Sequence, residues 1–249
     1  MSVWGKIIGS AAGFAIGGPI GALVGAFLGH AVDVTVEQDH AATPADPADR
    51  SATRDVAFTI AAIALGAKMA KADGVVSRSE VDAFKEVFRV PPGEMKNVAR
   101  IFDLAKRDSA GFETYARQIA GLFTPKHPVL EEMLDGLFHI ARADGVVHDN
   151  ELTYLRRVAE IFGFSDGDFA RIREANIGPD KADPYTILGV SRDDNNDEIK
   201  AAWRQLVRDN HPDKLIAQGL PSDFIELAND KLARINAAYD KVAKERGIS

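Results

Sequence analysis

His211, Pro212 and Asp213 follow directly on an amphipathic run, Asp197 to Asn210, in which Lys200, Arg204 and Arg208 recur at i, i+4 and i+8. On a helix this spacing gathers the three cations on one face and Ile199, Ala202, Trp203 and Leu206 on another. One face packs and the other is positive. Pro212 lacks a backbone N–H and disfavours helical geometry at His211, so the helix stops there. The tripeptide, with Lys214 after it, is thereby held at the tip. As a bare tripeptide it also occurs in ordinary turns. No Ser, His and Asp set falls at an interpretable spacing, and His127 and His139 stand alone. The chain is therefore expected not to be an enzyme and to use no cofactor.

An acidic turn occurs twice, at an offset of 71: Ala72-Asp73-Gly74-Val75-Val76, closed by Glu80, and Ala143-Asp144-Gly145-Val146-Val147, closed by Glu151. An Asp before the Gly and a Glu six residues after it match the second half of a calcium loop. The first half is missing. Met69 and Lys71 in one copy, and Ile140 and Arg142 in the other, stand where the earlier oxygen ligands belong. Asp73, Glu80, Asp144, His148 and Glu151 are candidate metal ligands, but the expected role is structural and no metal is expected. Gly74 and Gly145 would end one helix in a left-handed cap, and Ser77 and His148 or Asp149 would begin the next, Ser77 and Glu80 having capping-box spacing.

Helices must position these groups, because nothing in the chain alternates as a strand would. The fold is expected to be all-α. Residues 54–175 show helical apolar periodicity broken by short turns, and the repeat predicts two related helical hairpins packed on one another. Residues 34–53 carry prolines, small residues and acids without apolar periodicity and are expected to be a linker. A second break, 176–182, precedes a C-terminal helical domain, 183–249. There Leu232, Ile235, Ala238, Tyr239 and Val242 continue the helical period, so this second long helix can lie antiparallel to the first, with Pro184 to Val190 covering the open side.

Residues 1–33 read as a transmembrane anchor. Ile7 to Val32 is 26 residues without Asp, Glu, Lys or Arg, about 39 Å as a helix against a hydrocarbon core of roughly 30 Å. Gly9, Gly13, Gly17, Gly21 and Gly25, within a longer ladder from Gly5 to Gly29, repeat every four residues. Such a stripe lets helix backbones approach closely in lipid, which predicts a homodimer through the anchor. The net charge of -7 argues against nucleic acid as a partner, and the absence of cysteine excludes disulfides and thiolate zinc sites.

Asp183 to Val190 (DPYTILGV), the basic helix and the His211-Pro212-Asp213-Lys214 loop closely resemble a J-domain, spanning 183–249. The repeated ADGVV turn resembles the TerB family over 54–175. The stretch from His211 to Pro221, together with Trp4 to Gly9 and Gly29-His30, resembles the DjlA-type membrane co-chaperones. The resemblance implies a glycine-zipper transmembrane helix, a TerB-like bundle and a J-domain hairpin. It implies that His211, Pro212, Asp213, Lys200, Arg204, Arg208 and Lys214 dock on a DnaK-type chaperone and stimulate its ATP hydrolysis. Asp209 and Asn210 depart from the basic and aromatic residues that many J-domains carry there, which predicts weaker charge complementarity and packing before the loop.

The expected function is thus a membrane-anchored co-chaperone of the bacterial inner membrane, single-pass, with the bulk of the chain cytoplasmic. Its rival is a metal-responsive TerB-type membrane scaffold with a docking-only J-domain. Flanking charge gives a small bias the other way, towards a cytoplasmic N-terminus and an exported remainder, since Lys6 and the N-terminal amine precede the anchor and Arg50 and Arg54 follow it at a distance. A partner that consumes ATP places the J-domain inside.

Overall fold

The computed structural model describes residues 18–28, 47–72, 78–87, 93, 95–107, 111–177 and 182–248. Among them every regular element is helical: α1 (Gly18–Leu28), α2 (Pro47–Ala72), α3 (Arg78–Val87), α4 (Met95–Arg107), α5 (Phe112–Ala120), α6 (Pro128–Ala141), α7 (Asp149–Ile161), α8 (Asp166–Asn176), α9 (Pro184–Leu188), α10 (Asn196–Asp209), α11 (Pro212–Ala217), a 3-10 turn (Ser222–Phe224) and α12 (Ile225–Arg246).

Residues 56–70 of α2 are all buried, and a helix apolar on every side belongs at the centre of a bundle. α4, α5, α6 and α7 pack around it. The turn repeat separates α2 from α3 and α6 from α7; α6 and α7 pack as a hairpin, and helices of the two repeats cross-pair. α3 lies on α6 of the other repeat, and α7 reaches α2, where the Tyr154 hydroxyl donates to the Leu65 carbonyl at 2.8 Å. α2 begins at Pro47, inside the stretch read as a linker. Proline suits the first turn of a helix, and the residues that follow it lengthen a helix whose buried part is fixed by the core.

Within the stretch read as the anchor, the described residues begin at a break. Gly18 has φ +72 and α1 starts there, with Pro19 in its first turn. A residue before proline is driven out of helical geometry, and glycine takes the left-handed region without strain. The glycine ladder is therefore interrupted at this point. Gly21 and Gly25 lie on α1, whereas Gly9, Gly13 and Gly17 fall outside the described residues. α1 rests on α2, α4 and α5, with Ile20 and Leu23 in the core and the Ile20 N–H donating to Gln118 Oε1 at 2.9 Å. Among the described residues no helix is long and apolar enough to cross a membrane.

The C-terminal domain has its own small core of Tyr185, Leu188, Ile199, Ile235, Ala238 and Val242. α10 and α12 form the antiparallel hairpin and the short α9 covers it. Asp183 caps α9, accepting the Thr186 N–H at 3.2 Å and its hydroxyl at 2.7 Å, Pro184 occupies the first helical position, and Gly189 ends the helix at φ +68. Burial raises the Asp183 carboxyl's pKa, but these hydrogen bonds outweigh it and hold the group below its usual range.

Candidate partner-docking site

α10 is held by both ends and one face. Asn195 and Glu198 form a reciprocal capping box, each accepting the other's backbone N–H at 2.9 Å. Trp203 stacks on Tyr239 at 4.1 Å and donates its Nε1–H to Asn236 Oδ1 at 3.0 Å, and Ile199 is fully buried. With that face spent on packing, Arg204 and Arg208 are left exposed and Lys200 half-buried on the other, as their spacing predicts.

The helix stops at Asp209, and His211 begins a new one. The imidazole Nδ1 accepts the Asp213 N–H at 3.3 Å and Pro212 takes the first position of α11. The tripeptide is thus a helix cap standing on the surface, with the side chain of His211 52% and that of Asp213 90% exposed. Lys214 turns back to Asp209 at 2.7 Å, and Gln205 and Arg208 extend this chain of contacts at 2.6 Å each. Burial raises the Asp209 carboxyl's pKa, but its hydrogen bonds from Lys214 and Gln205 prevail and keep it low. Before the loop, the Asn210 side-chain oxygen is buried without a hydrogen-bond partner among the described residues. Asn210 is buried and its amide donates to the Leu206 carbonyl at 2.8 Å, closing the end of α10. His211, Pro212, Asp213, Lys214, Arg204, Arg208 and Lys200 therefore lie on one continuous stretch of α10, loop and α11.

Beyond the loop the chain leaves the small core and enters the large one. Leu215, Leu220 and Phe224 are buried among bundle residues, and the Phe224 ring stands edge-on to Phe58 at 5.0 Å.

The acidic turn serves as a cap in the copy that is described. Glu151 is buried and accepts the His148 N–H at 2.9 Å, while Asp144 accepts the Val146 N–H at 3.1 Å and pairs with His148 Nε2 at 3.2 Å. The Val146 N–H and His148 hold the Asp144 carboxyl's pKa below its usual range. Gly145, at φ +96, gives the left-handed turn. In the first copy Asp73 falls outside the described residues and Glu80 is buried on α3. No group of three or more His, Asp or Glu among the described residues is arranged to hold a metal ion.

The spacing-based reading missed a buried ionic cluster between the two domains. Lys231 of α12 lies 2.7 Å from Glu131, 3.0 Å from Glu132 and 2.9 Å from Asp135, all three on α6. Arg171 of α8 grips Glu131 with two bonds, of 3.0 and 2.6 Å, and Asn176 donates to Asp135. The signal was present. Lys231 falls on the buried stripe of α12 with Ile235, Ala238 and Val242, and Glu131, Glu132 and Asp135 interrupt an otherwise apolar helix.

Family models match three successive parts of the chain: the co-chaperone DjlA transmembrane domain over residues 1–44, the tellurite resistance protein TerB over 59–174 and the DnaJ domain over 183–246. The co-chaperone protein DjlA of Aliivibrio fischeri is 32% identical over an alignment of 282 residues that covers 100% of both chains. Its counterpart in Vibrio vulnificus is 30% identical over 286, again covering 100% of both. That of Escherichia coli K12 is 28% identical over 170, covering 59% of this chain and 63% of the relative. No solved structure matches the chain. With relatives alike from end to end, an N-terminal membrane-domain match, a TerB bundle and a J-domain whose loop is exposed beside a basic helix, the chain belongs to the DjlA family of membrane-anchored co-chaperones.

Proposed function

We propose that this chain docks on a DnaK-type chaperone through His211, Pro212, Asp213 and the basic face of α10, and so stimulates the partner's ATP hydrolysis. The observation that carries the reading is the loop's construction: His211 and Asp213 are fixed by their own cap, yet their side chains remain open to solvent beside Arg204 and Arg208. A preformed, exposed group loses little freedom when a partner binds it. The chemistry belongs to the partner, and this chain is not itself an enzyme. Its N-terminal region anchors it in the bacterial inner membrane as a single pass, self-associates through the glycine stripe and leaves the J-domain on the side where ATP is found.

Replacing His211 with Gln tests the docking role. The variant keeps its helicity and loses stimulation of chaperone ATP hydrolysis in a single-turnover assay. Stimulation equal to the parent's would overturn the assignment. Phosphatase and fluorescent reporters fused separately to Ser249 test the topology, and phosphatase activity without fluorescence would reverse it.

A further inference from the structure

The bundle holds a charge pattern that the J-domain completes. Glu131, Glu132 and Asp135 point from α6 into a site where, among the described residues, the bundle supplies one directly paired cation, Arg171, already engaged by both oxygens of Glu131. Glu132 is fully buried and Asp135 1% exposed. Without a further cation they would be stranded charges in a low-dielectric interior, which folded chains avoid. The cation comes from α12 of the other domain, as Lys231, itself 2% exposed and within 3.0 Å of all three carboxylates. For the J-domain's own core this lysine is superfluous, since Tyr185, Ile199, Ile235 and Val242 form that core without it.

A second tie lies at a different place. Leu215, two residues after Asp213, is fully buried and joins the bundle's core with Leu220 and Phe224. The short α9 also packs on α8, and Leu227 and Ala228 of α12 join the bundle's core, so the domains meet over several places and not at a single pivot. The ionic tie also sets register. Shifting α12 by one helical turn, about 5.4 Å, would withdraw the ammonium from every oxygen that faces it.

We propose that the TerB-like bundle is a fixed mount for the J-domain, and that Lys231, seated among Glu131, Glu132 and Asp135, is the positioning residue that holds the His211–Asp213 loop in one orientation relative to the bundle. The mount itself does not depend on the chaperone reading; only its consequence, presentation of the loop at a set angle from the bundle, rests on that reading.

The chain has no cysteine, so a pair introduced at exposed positions, Arg157→Cys on α7 and Asp197→Cys on α10, carries the only spin labels. Electron-spin distance measurement on the full chain is expected to give one narrow distance. Lys231→Met keeps the parent's helicity by circular dichroism, and its distance distribution becomes roughly twice as wide, the buried contacts of Leu215, Leu220 and Phe224 still keeping the domains together. If that variant fails to fold, Lys231→Met with Glu132→Gln and Asp135→Asn removes the stranded charges while leaving the Glu131–Arg171 pair intact, and is read in the same way. A parent-like narrow distance in a folded variant overturns the proposal, as does a broad distance in the parent. Chaperone ATPase stimulation by the unlabelled parent is measured separately, so failure of the co-chaperone reading is told apart from failure of the mount.

Discussion

The backbone N–H of Asp213 donates to His211 Nδ1 at 3.3 Å, so the loop's first and third residues are tied to each other. In a neutral ring this leaves the proton on Nε2. The partner-facing atoms of both residues are thus set locally, while everything around them decides where the loop stands.

Arg204 is exposed on the basic face, and its contribution is electrostatic. Arg204→Ala is expected to raise the concentration needed for half-maximal chaperone stimulation roughly fivefold at low salt, with the maximum unchanged. The deficit shrinks towards none near 1 M salt, where the Debye length falls to about 3 Å. A deficit that does not respond to salt would argue for a packing role instead.

Phe224 is 1% exposed and packs edge-on against Phe58 of α2. Phe224→Ala should lower stability by about 3 to 5 kcal/mol, through lost burial and the cavity left behind. A double-mutant cycle with Phe58→Ala should return a coupling of about 0.5 to 1.5 kcal/mol. Urea denaturation of the four proteins measures both quantities, and additive losses would mean that the rings do not interact across the domains.

Glu132 is fully buried and its Oε2 has no hydrogen-bond partner. Burial raises its pKa, Lys231 lowers it and Asp135 raises it again, leaving it at about 7 against an ordinary 4.5. Between those values the folded state holds a proton that the unfolded chain has released, so stability falls as pH rises through this window, by at most on the order of 3 kcal/mol. Glu131 runs the other way: burial alone would raise it, but Arg171 and Lys231 hold it well below the usual range, so its contribution is present above pH 4.5 and is lost in acid. Lys231 stays charged throughout, its pKa lowered by burial but raised further by Asp135, Glu131 and Glu132. Arg171 grips Glu131, and Asn176 and Arg142 border the cluster from the same side. Glu132→Gln should flatten the profile between pH 5 and 7 in urea titrations, whereas an unchanged slope would place the titrating group elsewhere.

Gly21 and Gly25 lie about one turn apart on α1, beyond the break at Gly18. Replacing both with Leu should weaken self-association in membranes, because the added side chains keep helix backbones apart. Cross-linking of the parent and the variant in native membranes measures this, and equal yields would move the interface off the glycine stripe.

The docking residues were legible in the sequence because they are local. A proline ends a helix wherever it stands, i, i+4 and i+8 share a face in any helix, and caps such as Asp183 and Asn195 act within four residues. The all-helical class and the short covering helix followed from the same short-range rules. Tertiary structure alone decided that the two repeats cross-pair, that Asn210 is buried, that the chain beyond the loop enters the bundle's core and that Lys231 meets three carboxylates about a hundred residues away in sequence. Helical period says which residues share a face, but not which face of another helix will cover it. A lysine on an apolar stripe has no local meaning until the carboxylates that neutralise it arrive from another domain.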